Sequence, residues 1–143
     1  MIDLKFKRER PSIEDYNNLF FDIYEEKRDE FIMKEAFNAT LEFISVYSEN
    51  DELIGFSRII GDRTIFLYIH DVMVRSDYQS QGIGSKIIEE TLNIIREYKV
   101  VNNDLRVYLG AAKDKESFYE KFGFLRRPNE YVGAGMILSP DFK

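Results

Sequence analysis

Val74 to Glu90 reads VRSDYQSQGIGSKIIEE: an apolar end, a polar turn, two glycines one residue apart, then an amphipathic run. Glycine where a helix begins is costly unless something must come close to the backbone. The first turn of a helix exposes unpaired N–H groups and the positive end of the dipole, and phosphate is a common anion to fill that place. Gly82 and Gly84 would keep side-chain bulk away, while Gln79, Ser80, Gln81 and Ser85 would add polar hydrogens around a pyrophosphate. The same residues are compatible with a turn that merely starts a helix. Two better-known phosphate loops are excluded. A dinucleotide fingerprint needs a glycine three positions after Gly84, where Ile87 stands, and SQGIGSK lacks the spacing of the NTP-binding loop. Upstream lies the only histidine of the chain, His70, beside Asp71. An imidazole titrates near neutrality and suits proton acceptance. The chain has no cysteine, which removes a thiolate nucleophile, a disulfide framework and a thiolate zinc site, and no metal is expected.

The elements around these residues follow from periodicity. Ile2, Leu4 and Phe6 alternate with charged residues and predict a first strand. Ser12 predicts a helix N-cap, with Asp15 three residues on, and Ile13, Tyr16, Leu19, Phe20, Ile23 and Tyr24 recur at helical spacing. A second short helix is expected over 29–38. LEFISVYS, LIGFSRII and TIFLYIHDVMV predict three antiparallel strands, with ENDE and GDR as turns and the third strand internal. Ile83, Ile87, Thr91 and Ile95 follow at intervals of four, widened by Ile88 and Leu92, and predict a helix laid on the sheet. LRVYL predicts a strand, KESFYEKF a helix closed by Gly123, and GMIL a last short strand. The order is that of an α/β fold with a mixed sheet flanked by helices, because the long helix returns the chain to a parallel neighbour.

Composition sets the frame. A chain of 143 residues without a linker-like stretch predicts one domain over 1–143. Twelve Phe and nine Tyr supply a substantial core. A net charge of −6 argues against broad electrostatic binding of nucleic acid. No run approaches eighteen apolar residues, and the charged, alternating N-terminus does not read as a secretory signal, so a cytoplasmic protein with no membrane partner is expected.

The pattern Gln79-x-x-Gly82-x-Gly84, a short polar loop beyond a strand ending at Val74, resembles the pyrophosphate loop of the GNAT superfamily of N-acetyltransferases. FYEKFGF, Phe118 to Phe124, resembles that family's second signature, a helix and a strand further on, and the element order fits along essentially the whole chain. The resemblance implies a GNAT fold whose central strand splays from its parallel neighbour, with acetyl-CoA as co-substrate. Its pantetheine would lie against the backbone of Val72, Met73 and Val74. Gln79, Ser80, Gln81, Gly82, Ile83, Gly84 and Ser85 would cradle its pyrophosphate, and Phe118 is carried over as a cofactor contact. Tyr119 matches the family's general acid, which protonates the leaving thiolate; a phenol, titrating near about 10, is mostly protonated at neutral pH. Many members carry an Asn shortly before the second motif, near the place of Ala112 here.

YIHDVMV resembles the cofactor-side strand of glucosamine-phosphate acetyltransferases, which carry Glu-Asp there. His70 replaces the Glu and Asp71 keeps the Asp, so that substrate does not carry over. His70 is a candidate base, with Asp71 as the other candidate or a substrate-orienting group. On strict alternation the two face opposite sides of the sheet, which a bulge would change. The first two helices are expected to wall the acceptor pocket. Tyr16, Phe20, Phe21, Tyr24, Phe31 and Phe37, with the carboxylates of EEKRDE, suit a small cationic amine, although core packing accounts for most of the aromatics. Acetylation of protein N-termini or lysines, and non-catalytic binding of acyl-CoA, are the alternatives. A homodimer is an expectation of the family alone.

Overall fold

The computed structural model describes residues 3–143, so the expectation at Ile2 lies outside the described residues. Two compact units are present, Met1–Leu109 and Gly110–Lys143. The first contains β1 (Lys5–Lys7), α1 (Ile13–Tyr24), α2 (Glu30–Asn38), β2 (Glu42–Tyr47), β3 (Leu53–Gly61), β4 (Phe66–Val74), α3 (Ile83–Lys99) and β5 (Arg106–Leu109); the second contains α4 (Glu116–Glu120). No helix of the described residues is long and apolar enough to cross a membrane.

Local chemistry sets the element ends. Ser12 Oγ accepts from the Asp15 N–H at 3.0 Å and caps α1. Asp29 Oδ1 accepts from the Ile32 N–H at 3.0 Å and caps α2. At the β3–β4 hairpin Gly61 has φ +144°, and a Cβ there would lie 2.4 Å from the Phe66 carbonyl oxygen. Asp62 Oδ1 then accepts from the N–H groups of Thr64, Ile65 and Phe66, which holds its carboxyl below the usual range. These bonds draw Thr64 and Ile65 into the turn, and β4 begins at Phe66 rather than at Thr64.

The sheet runs β1-β2-β3-β4-β5, antiparallel except for the parallel β4–β5 pair. Its two faces differ. One packs against α1 and α2 through Tyr16, Leu19, Phe20, Met33, Phe37, Leu53, Phe56 and Met73. The other packs against α3, whose Ile83, Ile87, Ile88, Thr91, Ile94 and Ile95 are buried. Gly55 lets α3 approach: a Cβ there would meet Ile87 Cδ1 at 3.0 Å and Val46 at 3.2 Å. Full burial of an isoleucine side chain contributes about 1.5–3 kcal/mol, so this stripe anchors the helix that carries the glycine loop.

The second unit departs from expectation in two ways. The helix over KESFYEKF is only Glu116–Glu120, with Lys121 as its C-terminal cap rather than Gly123. The Phe122 and Gly123 N–H groups reach back three residues, to Tyr119 O and Glu120 O, so the chain tightens out of the α-helix before Gly123 turns it at φ +94°. GMIL forms no strand. It finds no ladder partner among the described residues, and Met136 and Ile137 stand 96% and 91% exposed. An apolar run is a strand only where a neighbouring edge pairs with it.

Candidate active site

Along the β3–β4 ladder Phe56 pairs with Met73 and Arg58 with His70. Two steps on β3 therefore span three on β4, and β4 bulges at Asp71 and Val72. Asp71 takes the left-handed conformation (φ +58°) that aspartate tolerates better than most residues. The bulge overturns strict alternation. Asp71 turns toward α1, on the side where Met73 packs into the aromatic core, and its Oδ1 lies 3.5 Å from His70 Nε2, an ion-pair distance when the ring is protonated. The two candidate bases are thus side by side.

Asp71 is 10% exposed and firmly held. Its Oδ2 accepts from the Tyr16 hydroxyl at 3.1 Å and from Arg58 Nε at 3.0 Å. Arg58 Nη1 donates to Thr40 Oγ1 at 3.1 Å, and that hydroxyl donates to the Ala36 carbonyl at 2.8 Å. Burial, and then the adjacent Asp71 anion, push the Tyr16 phenol well above its ordinary range, against a smaller opposite pull from Arg28. Tyr16 is therefore a protonated donor. His70 is 47% exposed, with its ring 6.0 Å from that of Tyr68.

Beyond Ile69, which pairs with Leu109, β4 loses its β5 partner while continuing to Val74. The backbone of 70–74 is left without a strand on that side among the described residues. The Met73 side chain is buried in the core, so only its backbone can serve a ligand. The loop that follows is braced from within. Asp22 on α1 accepts from Ser76 N and Ser76 Oγ at 2.8 and 3.1 Å. Gln79 Nε2 donates to the Val74 carbonyl at 2.9 Å and Gln81 Nε2 to the Asp77 carbonyl at 3.4 Å. The sequence pattern points these glutamines at a phosphate; in the structure each amide also bonds to the loop's own backbone. Ser80 (φ +63°) and Gly82 (φ +81°) are both left-handed, a backbone conformation that recurs in anion-binding turns. No side chain caps α3, and a Cβ at Gly82 would meet nothing within 4 Å. Ile83 is buried on the sheet, whereas Gly84 and Ser85 are half-buried in the first turn.

In the second unit Tyr119 and Phe118 are half-buried within an aromatic group. The Tyr119 ring meets those of Phe118 and Phe124 edge-on at 5.1 and 6.0 Å, and Lys121 lies 5.1 Å over the Phe118 ring. Of the aromatics expected to wall an acceptor, Tyr16, Phe20 and Phe37 are core, while Phe21, Tyr24 and Phe31 are exposed. The chain's own Arg28 covers Phe20 at 4.5 Å and Lys27 sits over Phe21 at 5.9 Å. A cleft of about 520 Å³ runs beside α1, with Asp15, Asp22, Glu25 and Glu52 in its wall next to Arg75. Sequence reasoning misses Arg58 and Thr40 and gives Tyr16 no polar role. A charged residue inside the apolar strand LIGFSRII is the signal that could have found the first of them.

Residues 13–140 match the family model described as Acetyltransferase (GNAT) domain. The chain belongs to the GNAT acetyltransferase family. It is 31% identical over 84 residues to an uncharacterized N-acetyltransferase, ycf52, of Pyropia yezoensis, an alignment covering 59% of this chain and 46% of that protein. The chain spans about half the length of the curated relatives it matches. The crystal structure of a probable acetyltransferase of unknown function, SA2161, from Staphylococcus aureus superposes with a TM-score of 0.82 at 29% identity, covering 96% of this chain and 99% of that one. The fold is also that of the Escherichia coli GNAT protein YhbS in complex with CoA, at a TM-score of 0.68 and 15% identity, covering 87% of this chain and 70% of that one.

Proposed function

We propose that this protein is an N-acetyltransferase that moves the acetyl group of acetyl-CoA directly to an amine, a small primary amine above all. The observation that carries the reading is the uncapped N-terminus of α3, entered through left-handed Ser80 and Gly82 and preceded by a strand whose edge is unpaired beyond Ile69. An uncapped helix start is an anion site, and an open strand edge accepts the amides of an extended chain. Acetyl-CoA offers both groups, and a family member of the same fold binds CoA. We read the two units as one domain, supported by the family match that runs across both.

In this reading the backbone of Val72, Met73 and Val74 holds the pantetheine and residues 79–85 hold the pyrophosphate, with the glutamine side chains keeping the loop in shape. Acetyl-CoA supplies the activated thioester. The amine nitrogen forms the new bond to the acetyl carbon, and its proton passes to His70 beside Asp71. The carbon–sulfur bond breaks, and the phenol of Tyr119 gives its proton to the departing sulfur, with Phe118 as a cofactor contact. The carboxylates beside α1 favour a cationic acceptor. Acetylation of a protein amine is the runner-up within the same chemistry.

Thiol release from acetyl-CoA across a panel of small amines tests the reaction, and a peptide amine beside them tests the runner-up. Calorimetry with desulfo-CoA tests the site. Gly82→Asp places bulk and negative charge in the open space above α3 and is expected to abolish binding in a folded protein. Undiminished affinity would remove the loop from the reading.

A further inference from the structure

We infer that Arg58 and Tyr16 are positioning residues, which clamp Asp71 so that it orients the His70 ring while His70 takes the amine proton. The inference rests on the proposed transfer reaction, and one arm of its test does not depend on that reaction.

The clamp is built on one oxygen. Asp71 Oδ2 receives two donors, the Tyr16 hydroxyl at 3.1 Å and Arg58 Nε at 3.0 Å. Neither donor is free to leave. Tyr16 is fully buried, with its ring edge-on to Phe37 and Phe56 at 5.3 Å each. Arg58 is tied through Thr40 to the end of α2. Breaking either bond to Oδ2 would leave a buried donor without an acceptor, which costs about 1–3 kcal/mol. The other oxygen, Oδ1, faces His70 Nε2. Half-exposed His70 has its Nε2 3.5 Å from that carboxylate, and in this proposal Nδ1 is the nitrogen that takes the amine proton. A base held by an anchored acid is a recurring catalytic arrangement. In the step itself the amine N–H bond breaks, Nδ1 gains the proton, and the ring becomes a cation facing Asp71. The titratable and charged groups around the His70–Asp71 pair are Tyr68 from β4, Arg58 from β3 and Tyr16 from α1, with Arg28 next to Tyr16.

The chain's single histidine makes the test direct, because one imidazole resonance can be titrated by NMR without any substrate. Asp71→Asn removes the anion and is expected to lower the His70 midpoint. Arg58→Gln and Tyr16→Phe leave the anion less compensated and are expected to raise it. In both variants kcat for the amine should nevertheless fall about tenfold, with the KM for acetyl-CoA unchanged, because a more basic ring is no longer held in place. Tyr16→Phe keeps the buried ring and loses only the hydroxyl, so it decides the matter if Arg58→Gln fails to fold. A merely structural role would lower the melting temperature and leave the His70 midpoint where it was; that result overturns the clamp. An acid limb of the pH profile that survives His70→Gln but vanishes in Asp71→Asn overturns it too, by making Asp71 the base. If no amine is acetylated at all, the reaction reading falls, and the titration alone still confirms or overturns the clamp.

Discussion

The two faces of the sheet are built for different work. The α3 face is aliphatic, and Thr91, its buried polar residue on the helix, returns its hydroxyl to the Ile87 carbonyl at 2.7 Å. The α1–α2 face is aromatic, and through it runs a chain of polar contacts from Ala36 by way of Thr40, Arg58 and Asp71 to Tyr16. The dry face supplies rigidity to the helix that carries the glycine loop. The polar face spends packing on groups that hold an ionisable pair in one geometry. Polar networks in a core specify geometry only when their members are satisfied, and here both donors to Asp71 are accounted for.

Substitutions on either face sharpen this contrast or break it. The largest effect is expected at His70, on the polar face. His70→Ala should cost about 10²–10⁴-fold in kcat/KM near neutral pH. It should also erase the acid limb of the pH profile. Because His70 is half-exposed, the melting temperature should hardly move. Steady-state kinetics with a slow amine, for which chemistry limits turnover, is the measurement. An unchanged profile would hand the role of base to Asp71 or to a helix carboxylate acting through water.

On the dry face Ile87→Ala should do the reverse. Removing a fully buried isoleucine is expected to cost about 2–5 kcal/mol in urea unfolding, while kcat per folded molecule stays the same. A large loss of kcat at full folding would show that the faces do not divide the labour.

Glu42 ties β2 to α3 and to the residue that follows β1: Arg8 forks onto both of its oxygens at 2.7 and 2.9 Å, and the Tyr98 hydroxyl donates to Oε2 at 2.6 Å. The Arg8 hydrogen bonds hold the Glu42 carboxyl below the usual carboxylate range, against a smaller burial penalty. Its folded value therefore lies below its unfolded one. The stabilisation is complete above the unfolded value and is lost as pH falls through the folded one. Glu42→Gln should cost about 1.5–3 kcal/mol at pH 7, and the gap from wild type in urea midpoint should close on acidification. A gap independent of pH would mean that the fork stabilises by shape rather than by charge.

The smallest effect is expected from Gly55→Ala, where the added methyl meets the far end of the Ile87 side chain at 3.0 Å. About 1 kcal/mol of destabilisation is expected, since Ile87 must shift its terminal methyl and Val46 lies close on the other side. No loss at all would show slack in the α3 interface.

Local chemistry is legible in the order of the residues. Ser12 and Asp15 announce the start of α1, and the four-residue recurrence from Ile83 to Ile95 announces α3 and its buried face. The glycine loop stands out as a candidate anion site, since two glycines at a helix start are a local anomaly, and that role belongs to the proposal. What cannot be read this way is anything that depends on pairing. GMIL has the composition of a strand and forms none, because composition cannot supply the edge it would need. KESFYEKF has the pattern of two helical turns, and only five residues of it remain α-helical.

Residue types and short spacings thus determined the helices, the strands of the meander and the loop that resembles the family's phosphate cradle, since caps and periodicity act over a few residues. The tertiary structure alone decided how Asp71 faces. One extra residue in the register of β4 against β3 turns its carboxylate toward a tyrosine 55 positions away in the chain and toward an arginine on the neighbouring strand. Register is settled by pairing energies between distant segments, and a shift of one residue exchanges the faces of a strand. That shift places His70, Asp71, Arg58 and Tyr16 in one cluster that no local pattern encodes.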